Sequence, residues 1–115
     1  MLHGNKKKQL SRNKNQRNAL IKTLAVSLIK YEKIQTTETK AKVLKPFIEK
    51  LITKGKENNL SAQKLIASRL GAISASKIIK VLSPKYKDRN GGYTRVIKIK
   101  TRLSDGTSMS QIEFI

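Results

Sequence analysis

The sequence contains no cysteine and no tryptophan, and its single histidine is His3. Without cysteine there can be no disulfide and no thiolate metal site, and a reducing compartment is suitable. A lone histidine also excludes a histidine metal cluster and acid–base catalysis by a histidine pair. Because the acids are scattered, no base is evident that would activate a hydroxyl as a nucleophile. We therefore expect a protein that is not an enzyme and has no cofactor, metal or small-molecule substrate.

Acidic residues are few: 7 Asp and Glu stand against 26 Lys and Arg, for a net charge of +19. A folded chain with this charge repels itself, which indicates a polyanionic partner. Nucleic acid is the leading candidate. A membrane surface is less favoured, because there is no long apolar run and no secretory signal pattern, so we expect no membrane contact. The expected location is the cytoplasm.

A length of 115 residues with 37% hydrophobic residues predicts one domain with a modest core. Leucines recur four apart, each beside a second apolar residue, which predicts a helix from about Lys14 to Tyr31. Asn13 and Gln16 form a plausible capping pair at its start. The apolar stripe of this helix comprises Leu20, Ile21, Leu24, Ala25, Leu28 and Ile29.

Three further helices are predicted. Thr37 is a suitable cap for the second, and Gly55 is its end signal. Pro46 lies inside this helix and should kink it, and a break before Pro46 is the alternative. The third helix is expected to be capped by Ser61 and interrupted at Gly71. The fourth is expected from Ser74 to Leu82 and is stopped by Ser83-Pro84.

Strand patterns lie at residues 34–36, 95–103 and 109–115. In the second, Ile97, Ile99, Thr101 and Leu103 alternate with Lys98, Lys100 and Arg102. Ser104-Asp105-Gly106-Thr107 suits a type I′ hairpin turn before the last strand. The predicted fold class is α+β, with about four helices packed on one face of a small, largely antiparallel two- to three-stranded sheet. Residues 1–12 are expected to form an extended basic N-terminal arm, and residues 13–115 a single α+β domain.

The N-terminal segment carries six basic residues and no acid before Asn18. We interpret them as contacts to RNA phosphates, with a solvated tail as the alternative. His3 can stack on a base or donate to a phosphate, and a mobile terminal histidine is the competing interpretation.

The run from Arg89 to Arg95 is the second candidate contact. Its paired glycines allow close approach of the backbone to phosphate, Tyr93 can stack on a base, and the two arginines can bind phosphate. The alternative is a flexible turn that leads into a strand.

Lysines on the second helix and on the long strand form a third group. Outward lysines also protect strand edges from aggregation, and helix lysines are often simply solvated, so both explanations remain open for this group. The predicted RNA-binding residues are His3, Lys6, Lys7, Lys8, Arg12, Lys14, Arg17, Lys40, Lys42, Arg89, Tyr93, Arg95, Lys98 and Lys100.

Several of these runs, taken in order, resemble the bacterial large-subunit ribosomal protein seventeen family. The likeness extends along the whole chain and rests on Met1, His3, Leu10, Arg12 and Arg17, then Ile34-Gln35-Thr36-Thr37, Lys40-Ala41-Lys42, Glu49-Lys50-Leu51-Ile52-Thr53, Asp88-Arg89, Gly91-Gly92-Tyr93-Thr94-Arg95 and Ile112-Glu113. Leu2, Gln16 and Ser108 depart from the usual residues of that family.

The resemblance implies a structural component of the large ribosomal subunit that binds and stabilises folded rRNA. It also implies a position near the peptide exit region, beside neighbouring large-subunit ribosomal proteins. Two other functions would also be compatible with this strongly basic composition. The first is architectural DNA binding, which the sequence does not support because no helix-turn-helix is evident. The second is an adaptor that binds other proteins, in which the lysines would serve solubility alone.

Overall fold

The computed structural model describes residues 14–101 and 106–115, and the part of the chain that it describes is an α+β fold. The elements in order are α1 (Lys14–Tyr31), β1 (Lys33–Thr37), α2 (Glu38–Gly55), α3 (Leu60–Leu70), α4 (Ala72–Lys77), a π-helical turn (Ile78–Leu82), α5 (Ser83–Lys85), β2 (Thr94–Lys98) and β3 (Met109–Phe114). The predicted fold class is confirmed. The N-terminal arm and the cap at Asn13 lie outside the described residues.

The three strands form an antiparallel sheet in the order β1-β3-β2. Ile112 in the central strand is paired with Ile34 on one side and Val96 on the other, and these three side chains face the helices. Neighbouring positions such as Gln35 and Arg95 are exposed on the other face. Burial therefore alternates along β3, as expected for a sheet with one face covered by helices.

The core lies between this sheet face and the helices, and α1 and α2 contribute most to it. The stripe predicted on α1 is confirmed, because Ile21, Ala25, Leu28 and Ile29 are buried. The apolar face of α2 is buried at Ala41, Leu44, Ile48, Leu51, Ile52 and Gly55. Removing this apolar surface from water is the main force that holds the elements together.

Proline does not divide α2. The helix is continuous from Glu38 to Gly55 with Pro46 inside it, so the alternative of a break before Pro46 is wrong. Pro46 and Lys42 are both exposed, which leaves the Lys42 carbonyl, deprived of its partner N–H, accessible to water.

Two predictions about the helix ends need correction. The cap of α3 is Asn59 and not Ser61, because the Asn59 Oδ1 accepts a hydrogen bond from the Ala62 N–H at 2.8 Å. Ser83-Pro84 does not stop the last helical segment, which passes through a π-helical turn and ends at Lys85. Proline is tolerated there because it occupies the first turn of α5, where an N–H is not needed.

The strand predicted over 95–103 is shorter, since β2 is Thr94–Lys98. Its partner β3 begins at Met109, and the Ser108 carbonyl instead accepts from the Glu38 N–H at 2.9 Å. The Ile99 N–H still reaches the Met109 carbonyl at 3.0 Å, one residue beyond the end of β2. Ser104 and Asp105 of the predicted hairpin turn lie outside the described residues.

Candidate RNA interface

The predicted RNA-binding residues fall in separate parts of the fold. Lys14 and Arg17 are on the first turn of α1, Lys40 and Lys42 on α2, and Arg89, Tyr93, Arg95, Lys98 and Lys100 follow α5. His3, Lys6, Lys7, Lys8 and Arg12 lie outside the described residues.

The start of α1 carries exposed positive charge. Lys14 is exposed and Arg17 is half-buried, and their spacing of three residues places them on one side of the helix. The first turn contains no acid, and within the described chain neither side chain forms an ion pair. A helix N-terminus also carries partial positive charge, so this end of α1 attracts anions.

The two α2 lysines differ in their surroundings. Lys42 is exposed and forms an ion pair with Glu38 at 3.1 Å, one helical turn earlier. Lys40 is half-buried and follows the Thr37 cap, whose hydroxyl accepts from the Lys40 N–H at 3.4 Å. An exposed pair of this kind is weak, so Lys42 can exchange its carboxylate for a phosphate at small cost.

Tyr93 is buried, which contradicts its predicted role in base stacking. Its side chain is only 1% exposed, and its ring packs against that of Tyr86 with centroids 5.3 Å apart. The Tyr93 and Thr53 hydroxyls are 3.0 Å apart, and the Lys56 ammonium lies 4.6 Å from the ring centroid. The ring is thus packed within the protein, and Tyr93 has a structural role.

The environment of the Tyr93 hydroxyl shifts its acidity. Burial raises the pKa of Tyr93, but hydrogen bonds from Lys56, Thr53 and the Gly91 backbone outweigh burial and lower that pKa overall. Lys56 also donates to the Arg89 carbonyl. The Tyr93 hydroxyl therefore lies in a polar environment at the end of α2.

Glu49 forms a second polar centre, one helical turn before Thr53. Its Oε2 accepts from the Lys45 ammonium at 2.9 Å, the Thr94 hydroxyl at 2.9 Å and the Thr94 N–H at 3.2 Å. Lys45 also donates to the Thr94 carbonyl at 2.6 Å. Burial raises the pKa of Glu49, but the hydrogen bonds from Lys45 and Thr94 are stronger together and lower it.

Arg89 and the paired glycines lie at the surface between these two centres and α5. Gly91 and Gly92 have φ angles of +89° and +64°, which glycine adopts without strain. Apart from the chain neighbours, no atom of the described residues lies within 4 Å of where a Cβ would be at either glycine. The Arg89 side chain is exposed, with Nη1 3.3 Å from the Gly92 carbonyl. The exposed Arg89 guanidinium and the exposed Gly92 backbone therefore lie together, in an arrangement that suits phosphate.

Arg95 lies on the uncovered face of the sheet in a cross-strand row with Glu113 and Lys33. Its Nε and Nη2 contact Glu113 Oε2 at 3.0 and 2.8 Å, and Gln111 donates to the other carboxylate oxygen at 2.6 Å. The hydrogen bond from Arg95, followed by that from Gln111, holds the pKa of Glu113 below its usual value. Arg95 thus forms an ion pair with Glu113, a pairing that could not be predicted from the sequence.

Lys98 and Lys100 are both exposed, but the alternation expected around them is partly wrong. Val96 packs against the core, whereas Ile97 is 42% exposed on the opposite face. The register explains this difference, because Val96 pairs with the buried Ile112 and Ile97 pairs with Gln111. Lys98 therefore lies on the same side of the sheet as Val96, and its side chain is exposed because it is the last residue of β2.

Other basic residues belong to a long acid-free segment, residues 58–87. The sequence shows how many basic residues this segment contains, but it does not show where their side chains point. Lys77 turns inward and donates to the Ile29 carbonyl at 2.6 Å, with Glu32 at 3.8 Å. The exposed members of this segment are Lys64, Arg69, Lys80, Lys85 and Lys87.

The described ranges 14–101 and 106–115 contain neither a candidate metal site nor a candidate membrane span. No group of three or more potential metal-ligating His, Asp or Glu side chains occurs there. None of the helices in this part of the chain is long and apolar enough to cross a membrane.

Comparison with known proteins identifies the family. Residues 20–115 match the family described as Ribosomal protein L17. The chain is 49% identical over its whole length to the large ribosomal subunit protein bL17 of Pelagibacter ubique (strain HTCC1062), covering 80% of that relative. It is 45% identical, again over its whole length, to the proteins of the same name from Persephonella marina (strain DSM 14350 / EX-H1) and Wolbachia pipientis wMel, covering 95% and 83% of them.

The chain belongs to the ribosomal protein L17 family. The resemblance seen in the sequence is therefore confirmed. Membership also confirms that the chain is a structural ribosomal protein and not an enzyme, and that its location is the ribosome in the cytoplasm.

Proposed function

We propose that this protein binds and stabilises folded large-subunit rRNA, near the peptide exit region and beside neighbouring large-subunit ribosomal proteins. The observation that carries the proposal is the net charge of +19 in a folded domain whose basic side chains largely remain exposed. Relatives named as large-subunit proteins over the full length of the chain support the choice of RNA.

The proposed mechanism is charge neutralisation. Lysine and arginine side chains relieve repulsion between phosphates, so that neighbouring RNA helices can pack together. In the described chain, Lys14 and Arg17 are positioned for this task at the start of α1. Arg89, in the segment before β2, and Lys98, the last residue of β2, are also exposed. Residues 1–12 are proposed to continue the interface as a basic arm that contacts RNA, with His3, Lys6, Lys7, Lys8 and Arg12 as its contacts.

Protein neighbours are proposed for a different surface. Ile73 on α4 is 89% exposed and Val81 in the π-helical turn is 51% exposed, so both place apolar area in water. Exposed apolar side chains of this size favour protein contacts over phosphate contacts. A photoreactive residue at Ile73 in assembled subunits is expected to give an adduct that resists ribonuclease, and an adduct lost on ribonuclease treatment would contradict this assignment.

Sedimentation tests the main proposal. After a high-salt wash, the chain is expected to sediment with the large subunit on a sucrose gradient, while free chain stays at the top. Chemical footprints on rRNA, compared in subunits with and without the chain, should show protection near the peptide exit. Intact subunits that sediment without the chain would refute the proposal. Stronger binding to duplex DNA than to large-subunit rRNA would favour the architectural alternative.

A further inference from the structure

Four polar side chains of α2 face the segment that leads into β2. They are Lys45, Glu49, Thr53 and Lys56, whose spacings of four, four and three residues place them along one side of the helix. We call them the α2 polar row. Every one of them contacts a residue between Arg89 and Thr94, so the row runs beside the RNGGYTR segment over most of its length.

We propose that the α2 polar row positions residues 89–94 so that Arg89 and the exposed Gly92 backbone are presented to RNA. The inference rests on the proposed rRNA binding. It assigns a role in that binding to residues that do not themselves contact RNA. Two of them, Lys45 and Lys56, are lysines whose charge is directed into the protein, and so they are positioning residues.

One half of the row fixes the end of the segment. Thr94 is 2% exposed and gives its N–H and hydroxyl to Glu49, while its carbonyl accepts from Lys45 at 2.6 Å. All polar groups of one residue are thus held by two α2 side chains in consecutive turns. This arrangement sets where β2 begins.

The other half fixes the middle of the segment. The Thr53 hydroxyl is 3.0 Å from the Tyr93 hydroxyl, and Lys56 reaches both the Tyr93 ring and the Arg89 carbonyl. Because Arg89 is held through its backbone, its side chain remains directed outward and exposed. The two glycines between these anchors adopt left-handed backbone with open space beside them.

A segment that is ordered before binding loses less conformational entropy when it meets RNA. Loosening the anchors should therefore weaken RNA binding even when no phosphate contact is removed. This result separates a positioning role from a role in overall stability, provided that affinity is measured where every variant is fully folded.

Tyr93→Phe tests the anchor, because it removes one hydroxyl and keeps the buried ring. Tyr86→Phe is the matched control, since Tyr86 belongs to the same aromatic cluster but gives its hydroxyl to the Ile115 carbonyl at 2.6 Å. Affinity of the full chain for protein-free large-subunit rRNA would be measured by filter binding. We expect Tyr93→Phe to lose about three- to tenfold in affinity and Tyr86→Phe to stay within about twofold of the parent.

Arg89→Gln completes a double-mutant cycle. It should lower affinity and reduce the slope of log K against log salt by about 1. If Tyr93 acts through Arg89, Tyr93→Phe should cost much less in the Arg89→Gln background than in the parent. Hydrogen exchange should also show faster exchange of the Gly91 and Gly92 amides in Tyr93→Phe but not in Tyr86→Phe.

The outcomes separate this inference from the proposed function. If the parent chain binds rRNA and Tyr93→Phe binds as well as Tyr86→Phe, the positioning role is refuted and the proposed function stands. An equal loss from Tyr93→Phe in both backgrounds, or an Arg89→Gln variant with unchanged affinity and slope, would likewise overturn the inference. If the parent chain does not bind rRNA, the proposed function fails and the inference fails with it.

Discussion

Gly55 and Ser83 meet where the end of α2 crosses α5, and the contact has no room for an additional atom. A Cβ at Gly55 would overlap the Ser83 Oγ and would lie 3.0 Å from the Ile78 Cγ2. The Ser83 hydroxyl is itself held there, because it donates to the Ile52 carbonyl at 3.0 Å. Gly55 is the last residue of α2, as expected, but it does not supply the left-handed turn of an end signal. Lys56 remains right-handed, and positive φ after α2 first appears at Asn58.

Gly55→Ala should therefore destabilise the fold. Alanine is favoured over glycine in a helix by about 1 kcal/mol, but the overlap with Ser83 should reverse that gain and leave a net loss of about 1–3 kcal/mol. Urea unfolding followed by circular dichroism measures the change. Ser83→Ala in the same chain removes the overlapping oxygen and should recover part of the loss. Gly55→Ala alone at parental stability would show that the contact is looser than the structure indicates.

Much of the fold could be predicted from the sequence because its apolar periodicity is strong. The α1 stripe and the α2 face recur at helical spacing, and so both helices were assigned with nearly correct ends. The boundary errors arose where two local signals compete. Asn59 and Ser61 are both good caps by residue type, and the fold shows that Asn59 is the one whose side chain accepts from a helix N–H. The π-helical turn has no sequence signal of its own, since it depends on how Ile78, Leu82 and Ser83 face α2.

Substitution at the two cap candidates tests the α3 boundary directly. Asn59→Ala removes the acceptor for the Ala62 N–H and should cost about 1 kcal/mol in the free energy of unfolding. Ser61→Ala changes an exposed residue inside the helix and should stay within about 0.5 kcal/mol of the parent. The comparison uses urea unfolding of both variants under the same conditions. A larger loss from Ser61→Ala than from Asn59→Ala would mean that the helix starts later.

Less of the candidate interface could be predicted, for a physical reason. A sequence shows which residues are basic but does not show which of them are paired. Lys45, Lys56 and Lys77 direct their ammonium groups at protein oxygens, and only the fold reveals this. Tyr93 looked available for stacking because it follows two glycines, yet its ring completes the core beside Tyr86.

Glu49 should make stability depend on pH. Its pKa is lower in the folded chain than in the unfolded chain, because the hydrogen bonds from Lys45 and Thr94 outweigh the effect of burial. Its stabilising effect is therefore complete above the unfolded pKa, near 4.5, and is lost as pH falls through the folded pKa. Glu49→Gln should cost about 1–3 kcal/mol at pH 7, and the difference from the parent should shrink below about pH 4.5.

Urea unfolding at a series of pH values between 7 and 3 measures this difference. Glu57→Gln serves as the control, because Glu57 forms only an exposed ion pair with Lys54 at 3.0 Å. Its removal should change stability by less than about 1 kcal/mol. A Glu49→Gln effect that stays constant down to pH 3 would argue against the carboxylate as its source.

The pairing of Arg95 with Glu113 leads to a prediction about RNA affinity. In the free protein the guanidinium gives two donors to one carboxylate oxygen, so a phosphate must compete with Glu113 for Arg95. Glu113→Gln removes this competition. Under the proposed function, the variant should bind large-subunit rRNA more tightly at low salt, and the slope of log K against log salt should steepen by up to about 0.9.

The background variant Arg95→Gln shows whether the gain depends on the arginine. If Glu113 acts by occupying Arg95, adding Glu113→Gln to Arg95→Gln should give little further affinity, because the freed cation is absent. If the carboxylate instead repels RNA generally, the gain should be the same in both backgrounds, since one negative charge is lost in each case. Filter binding at several salt concentrations distinguishes these results. An equal gain in affinity in both backgrounds would show that Arg95 does not contact the RNA. Glu113 would then act only through the net charge of the sheet face.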